Sequence, residues 1–264
     1  MKRMAMLCLV AWLSAPVALS QGLLESALTG KATIVDLTHK LSSAIPYWPG
    51  PAYKPFHFET IATLEKDGVY SGAFCMAEHM GTHVDAPNHF EAGQASIDAL
   101  PLQHLIAPAA VIDVRQQVAR DPDYRLTVDD LKRWEKKHGR VPRNALVCLY
   151  TGWDARWSDP IAYRHQDEQQ VMHFPGFSAE VAEFLVTQRH IRGIGIDTLS
   201  VDYGPSKDFI VHHIMNRAGK YHLENLANLG RLPATGAVII AAPIPIDNGS
   251  GAPARVFAIV RRSP

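Results

Sequence analysis

Short apolar runs rich in β-branched residues recur along the whole chain, and they constrain its fold more than any other feature. ATIVDL (32–37), AAVIDV (109–114), ALVCLYT (145–151), IRGIGID (191–197), AVIIAAPI (237–244) and ARVFAIVRR (254–262) all have strand length and strand composition. Two further runs, 56–64 and 69–77, flank a turn at Lys66-Asp67-Gly68, and 221–226 is extended. Helix signals lie between the strands. Thr127 caps a helix with Asp130 as its capping-box partner, and Gly139 ends it after His138. Ser178 caps a second helix, AEVAEFLVTQRH, and SKDFIVHHIMNRAG (206–219) reads as a third that stops at Gly219. Residues 44–55 hold four prolines and must be irregular. Strands outnumber helices and the two kinds mix throughout. That pattern predicts a single α/β (mixed α+β) domain on a mixed sheet.

The N-terminus carries a separate signal. Lys2 and Arg3 precede an apolar stretch from Met4 to Leu13, and Ala18-Leu19-Ser20 places small residues at a cleavage site. The expectation is an export signal over 1–20, a mature domain over 21–264, and a periplasmic or secreted protein. No later segment reaches about 18 uninterrupted apolar residues, so no membrane span is expected in the mature chain. Lys plus Arg equals Asp plus Glu at 26 each, which leaves no basic face for nucleic acid. Cys8 would leave with the signal. Cys75 and Cys148 sit in strand-like apolar runs, where buried free thiols are expected, although an oxidising compartment would permit a disulfide.

Thirteen histidines are the compositional outlier. Three fall within HMGTHVDAPNHF (79–90). His79 and His83 have the i, i+4 spacing of helical zinc sites, but Gly81, Pro87 and the β-branched Thr82 and Val84 oppose a helix. On an extended chain, His79, Gly81, His83, Asp85, Pro87 and His89 share one face. Two imidazoles and a carboxylate then converge, with Gly81 removing bulk between the histidines. Such a face suits a metal ion. His89 lies past the bend at Pro87, so it can face the site without binding the ion. A plain hydrogen-bonded histidine pair is the competing reading.

Further ligands must come from elsewhere in the chain. The candidates are His39, His57, His104, His138, His165, His173, His190, His212, His213, His222 and Glu224, and most of them read as surface residues. His212 and His213 stand out because Phe209, Ile210, Val211, Ile214 and Met215 surround them, and a histidine in an apolar helix needs a partner. Glu224 sits in the strand-like run HLENL.

The segment His79-Met-Gly81-Thr82-His83-Val-Asp85-Ala-Pro87-Asn-His89 closely resembles the HxGTHxDxPxH motif of the cyclase-like metal-dependent hydrolases, a family that includes bacterial kynurenine formamidase and isatin hydrolase. The resemblance runs from about Val35 to Val260. It includes Asp36-Leu37-Thr38, Trp48-Pro49-Gly50, Thr151-Gly152-Trp153, Phe174-Pro175-Gly176, Gly195-Ile-Asp197-Thr-Leu-Ser200-Val-Asp202, and His212 with Glu224-Asn225-Leu226 twelve residues on. It implies a partly barrel-like mixed sheet flanked by helices. It also implies metal ligation by His79, His83 and Asp85, with Asp85 able to bridge two ions, and completion of the site by His212 and Glu224. His213 is the second choice for the His212 position. His89 would be the general acid/base, and Trp48 would pack on the substrate ring.

The implied cofactor is a divalent metal, Zn²⁺ or Mn²⁺, one or two ions per subunit. The implied reaction is hydrolysis of an aryl formamide such as N-formylkynurenine, or of a cyclic amide such as isatin. The implied assembly is a homodimer or homotetramer. The chain carries Pro51 where relatives often carry Asp, and an export signal is unusual for a formamidase whose substrate arises in the cytoplasm. Lactone or ester hydrolysis, cyclisation, or metal binding without catalysis are the rival readings of the same site. A poised histidine that is not a ligand argues against the last.

Overall fold

Pairing between strands far apart in sequence decides the architecture. The computed structural model describes residues 22–23 and 25–262, so the expected export signal lies outside the described residues. In chain order the strands are β1 (Ala32–Asp36), β2 (His57–Ala62), β3 (Ser71–Cys75), β4 (His83–Asp85), β5 (Ile106–Asp113), β6 (Arg125–Leu126), β7 (Leu146–Tyr150), β8 (Gly176–Phe177), β9 (Gly193–Ile196), β10 (Tyr221–Glu224), β11 (Thr235–Pro243) and β12 (Gly251–Arg261). Eight of them form one sheet in the order β1-β12-β11-β5-β7-β9-β10-β4. Gly251–Pro253 of β12 also pair with β4, while Ala254–Ile259 pair with β11. That double use of β12 closes the sheet into a mixed barrel, with β1 laid along its far end.

Strands β5, β7, β9 and β10 run parallel. Parallel neighbours need long crossovers, and three helices supply them: α1 (Val128–His138), α2 (Ala179–Phe184) and α3 (Ile210–Arg217). The capping box of α1 forms as the sequence predicts. Helix α2 runs to Phe184 and continues as a π-helical turn over Leu185–Arg189, which ends at a left-handed His190. Helix α3 is shorter than the 206–219 expected. The Ser206 hydroxyl accepts from the Phe209 N–H at 3.2 Å, Phe209 is left-handed, and the helix starts only at Ile210.

The strand pleat divides the core in two. Ala109, Val111, Leu146, Cys148, Leu223 and Ile239 face the barrel interior. Their neighbours Ala110, Ile112, Val147, Leu149, Ile194 and Ile196 pack outward against Leu131, Trp134, Val181 and Met215 of the helices. The inward positions of β9 are Gly193 and Gly195. A Cβ at Gly195 would stand 2.9 Å from Leu226 Cδ1 and 3.3 Å from Cys148 Sγ, so a side chain there would have to displace Leu226.

Cys148 is a buried free thiol, as expected. Cys75 is free but exposed, contrary to expectation. Its strand pairs only with β2, and this two-stranded arm lies outside the barrel sheet. Among the described residues, no helix is long and apolar enough to cross a membrane.

Candidate metal centre and pocket

Strand β4 is three residues long and carries His83 and Asp85 on one face. Its antiparallel partner β10 sets His222 opposite Asp85 and Glu224 opposite His83. Opposed residues of an antiparallel pair share a face, so strand register alone gathers four ionisable side chains.

His79 and His89 arrive by turns, and the unbroken alternation expected over 79–89 does not form. Gly81 adopts φ +67°, and a Cβ there would lie 2.6 Å from Leu41 Cδ2. Its carbonyl lies 2.9 Å from His83 Nδ1, which orients that ring and leaves Nε2 aimed at the carboxylates. Beyond β4, Pro87–His89 forms a 3-10 turn that swings His89 back over His79. The two rings stack with centroids 3.8 Å apart.

The carboxylates divide their oxygens between two positions. Asp85 Oδ1 is 2.6 Å from His79 Nδ1 and 3.1 Å from His83 Nε2. Asp85 Oδ2 is 3.4 Å from His212 Nε2 and 3.5 Å from His222 Nδ1. Glu224 Oε2 is 3.5 Å from His83 Nε2, and Oε1 is 3.4 Å from His212 Nε2. Two groups of potential ligands result, one of His79, His83 and Asp85, the other of Asp85, His212, His222 and Glu224.

The chemistry of this donor set fits a divalent cation. His83 Nε2, Asp85 Oδ2 and both ring nitrogens of His222 are buried with no hydrogen-bond partner. Unpaired buried polar atoms are costly, and a shared cation would satisfy those aimed into the cluster. Nitrogen and oxygen donors without thiolate suit a divalent metal ion.

The electrostatics agree. Burial pushes the Asp85 carboxyl up, but His79, His83, His212 and His222 outweigh it and hold Asp85 well below the usual carboxylate range. Burial works against a charged His83, yet Asp85 and Glu224 raise it to about 9. The carboxylates therefore draw positive charge into a buried space.

Supporting contacts orient the rings. The Asp202 carboxylate lies 2.7 Å from His212 Nδ1 and also accepts from the Val211 and His212 N–H groups. Ser250 Oγ lies 2.9 Å from His79 Nε2 and donates to Glu78.

The structure thus brings together all of the ligand candidates His79, His83, Asp85, His212 and Glu224. His213 turns away to Glu91, at 2.9 Å, which leaves His212 at the centre. His89 sits beside the cluster but belongs to neither ligand group. Burial pushes its imidazole down to about 3, so the ring is neutral. Trp48 lines the pocket above the cluster, 5.7 Å from the Phe209 ring, with Phe90, Tyr53 and Leu199 completing the apolar wall. The sequence leaves His222 among the candidate ligands without separating it from surface histidines, and the structure buries it fully. Its spacing of two from Glu224 on an extended segment was the signal for a shared face.

Fold and site together define a mixed-barrel α/β protein with a buried histidine–carboxylate centre. The chain belongs to the family described as putative cyclase, matching it over residues 35–203. It is 35% identical to isatin hydrolase of Roseibium aggregatum over 95% of this chain and the whole of that protein. It is 30% identical to kynurenine formamidase of Bacillus cytotoxicus over 86% of this chain and 96% of that one. Among solved structures, isatin hydrolase A from Ralstonia solanacearum superposes with a TM-score of 0.86 at 35% identity, covering 96% of this chain and all of its own.

Proposed function

We propose that this protein is a divalent-metal-dependent hydrolase that cleaves the amide bond of an aryl substrate, a cyclic isatin-type amide ahead of an acyclic aryl formamide such as N-formylkynurenine. One observation carries the reading. Asp85 shares its two oxygens between two groups of imidazoles beneath an aromatic pocket, while His89, which is in neither group, stacks beside them. The order of substrates follows from similarity to isatin hydrolase along the full chain.

His79, His83 and Asp85 would hold one ion, and Asp85, His212 and Glu224 a second position. Zn²⁺ and Mn²⁺ both suit these ligands. An ion bound there supplies Lewis-acid activation of the carbonyl and of the attacking water. Trp48, Phe90 and Phe209 hold the aryl ring and keep bulk water off the reacting carbon. The neutral His89 imidazole takes a proton from water as the new C–O bond forms. It returns that proton to the leaving nitrogen as the C–N bond breaks. A pure binding site would not need His89 in this place.

The test is an assay of the Mn²⁺- or Zn²⁺-supplemented protein on isatin and N-formylkynurenine side by side. Turnover of isatin is expected, and turnover of neither would overturn the substrate class. His89→Ala should retain bound metal and lose about 10²–10⁴ in kcat. Full activity in that variant would remove His89 from the mechanism.

Lys2, Arg3, the apolar run after them and the small residues near Ser20 support export to the periplasm or medium. Cell fractionation tests this, and a cytoplasmic protein with an intact N-terminus would contradict it. Exposed Phe58, Ile61 and Phe74 on the β2–β3 arm support a homodimer or homotetramer. Light scattering that returned a monomer of the mature chain would contradict that assembly.

A further inference from the structure

We propose that His222 is itself a metal ligand, binding through Nδ1, so that the second cation position is a four-residue set of Asp85, His212, His222 and Glu224. The inference rests on the metal-centre reading above and adds to it a ligand that sequence comparison with the family motif did not assign.

His222 is 0% exposed, and neither ring nitrogen has a hydrogen-bond partner. His222 lies on the opposite face of β10 from Tyr221 and Leu223, which join the barrel core, so its ring turns to the face of Asp85 and Glu224, where an apolar side chain would leave no ring nitrogen unpaired. An unsatisfied imidazole in its place is unfavourable by the ordinary measure of buried polar groups. Register fixes where it looks. His222 stands opposite Asp85, two residues before Glu224, and its ring meets the His212 ring edge-on at 4.8 Å between centroids.

The spacings around it are those of ligands. His222 Nδ1–Asp85 Oδ2 is 3.5 Å, His212 Nε2–Asp85 Oδ2 is 3.4 Å and His212 Nε2–Glu224 Oε1 is 3.4 Å. Hydrogen bonds in the same site are shorter, as in His212 Nδ1–Asp202 Oδ2 at 2.7 Å. Donors that sit about 2.1 Å from a shared zinc ion in a tetrahedron stand about 3.4 Å from one another. Three edges of the set already have that length. His212 is oriented from behind by Asp202 and is the firmer ligand. His222 has no such partner, so its ring is held only by the packing around it.

The test is metal binding by the full chain, stripped with chelator and titrated with Zn²⁺, with bound ions counted by mass spectrometry after equilibrium dialysis. The wild type should bind two ions per chain. His222→Leu should keep the first and bind the second at least about tenfold more weakly. Equal affinity for the second ion in wild type and variant overturns the proposal. So does a wild type that binds one ion, which leaves the metal-centre reading standing. A wild type that binds none overturns both. Should His222→Leu fail to fold, nitrogen NMR of histidine-labelled wild type gives the answer. The His222 Nδ1 resonance should move on addition of the second equivalent of Zn²⁺, and a stationary resonance overturns the proposal.

Discussion

Asp202 lies behind His212, and its carboxylate receives the ring nitrogen Nδ1 and two backbone N–H groups of the α3 start. It thereby fixes both the tautomer of a ligand candidate and the helix that carries it. Asp202→Asn should weaken metal binding about 10–100-fold, read by equilibrium dialysis; unchanged affinity would mean that α3 packing alone positions His212. His173 offers a test by pH away from the site. Its ring is 2.7 Å from Asp123 Oδ2 and 3.3 Å from Asp167 Oδ2. The bond to Asp123 is the largest cause that raises its pKa above the ordinary histidine value. A raised histidine adds stability that is fully present below the unfolded pKa and is lost as pH rises through the folded one. The gap in Tm between wild type and His173→Gln should therefore be wider near about pH 5.5 than near about pH 9. A gap independent of pH would contradict the pairing. Of the site residues, His79, His83, Asp85 and His89 were legible because they share one short segment. Asp202 stands in the stretch that resembles the family, but its contact with His212 was not legible, since it spans a loop that no periodicity describes.

Strands and helix caps were legible because local chemistry specifies them: Thr127 with Asp130 caps α1, and the runs around Val147 and Ile239 are strands. Local pattern failed where tertiary contacts set the boundary. The stretch 206–209 has helical composition, yet the Asp202 carboxylate receives N–H groups only from Val211 onward. Strand β4 is short because Gly81 turns the chain before it and Pro87 after it. The inward glycines of β9 carry a prediction of their own. Gly195→Ala would force its methyl against Leu226 and Cys148. The expected loss is about 1–3 kcal/mol in urea unfolding, and a neutral result would show that the barrel interior can relax.

At the scale of the molecule, the pairing of β12 with β4 closes the barrel and places the centre. It brings Ser250 beside His79, across 171 residues of sequence. No sequence window contains that contact, so composition could reach a mixed sheet but could not derive its closure. His83, His212 and Glu224 lie buried at the foot of the aromatic pocket. Function therefore stands or falls on what occupies the cluster. The most direct measurement is isatin hydrolysis by the chelator-stripped protein as Mn²⁺ or Zn²⁺ is titrated back, with bound ions counted in the same samples. The stripped protein should be inactive, and activity should rise in step with occupancy. Full activity without metal, or a fully loaded protein that leaves isatin untouched, would contradict the account.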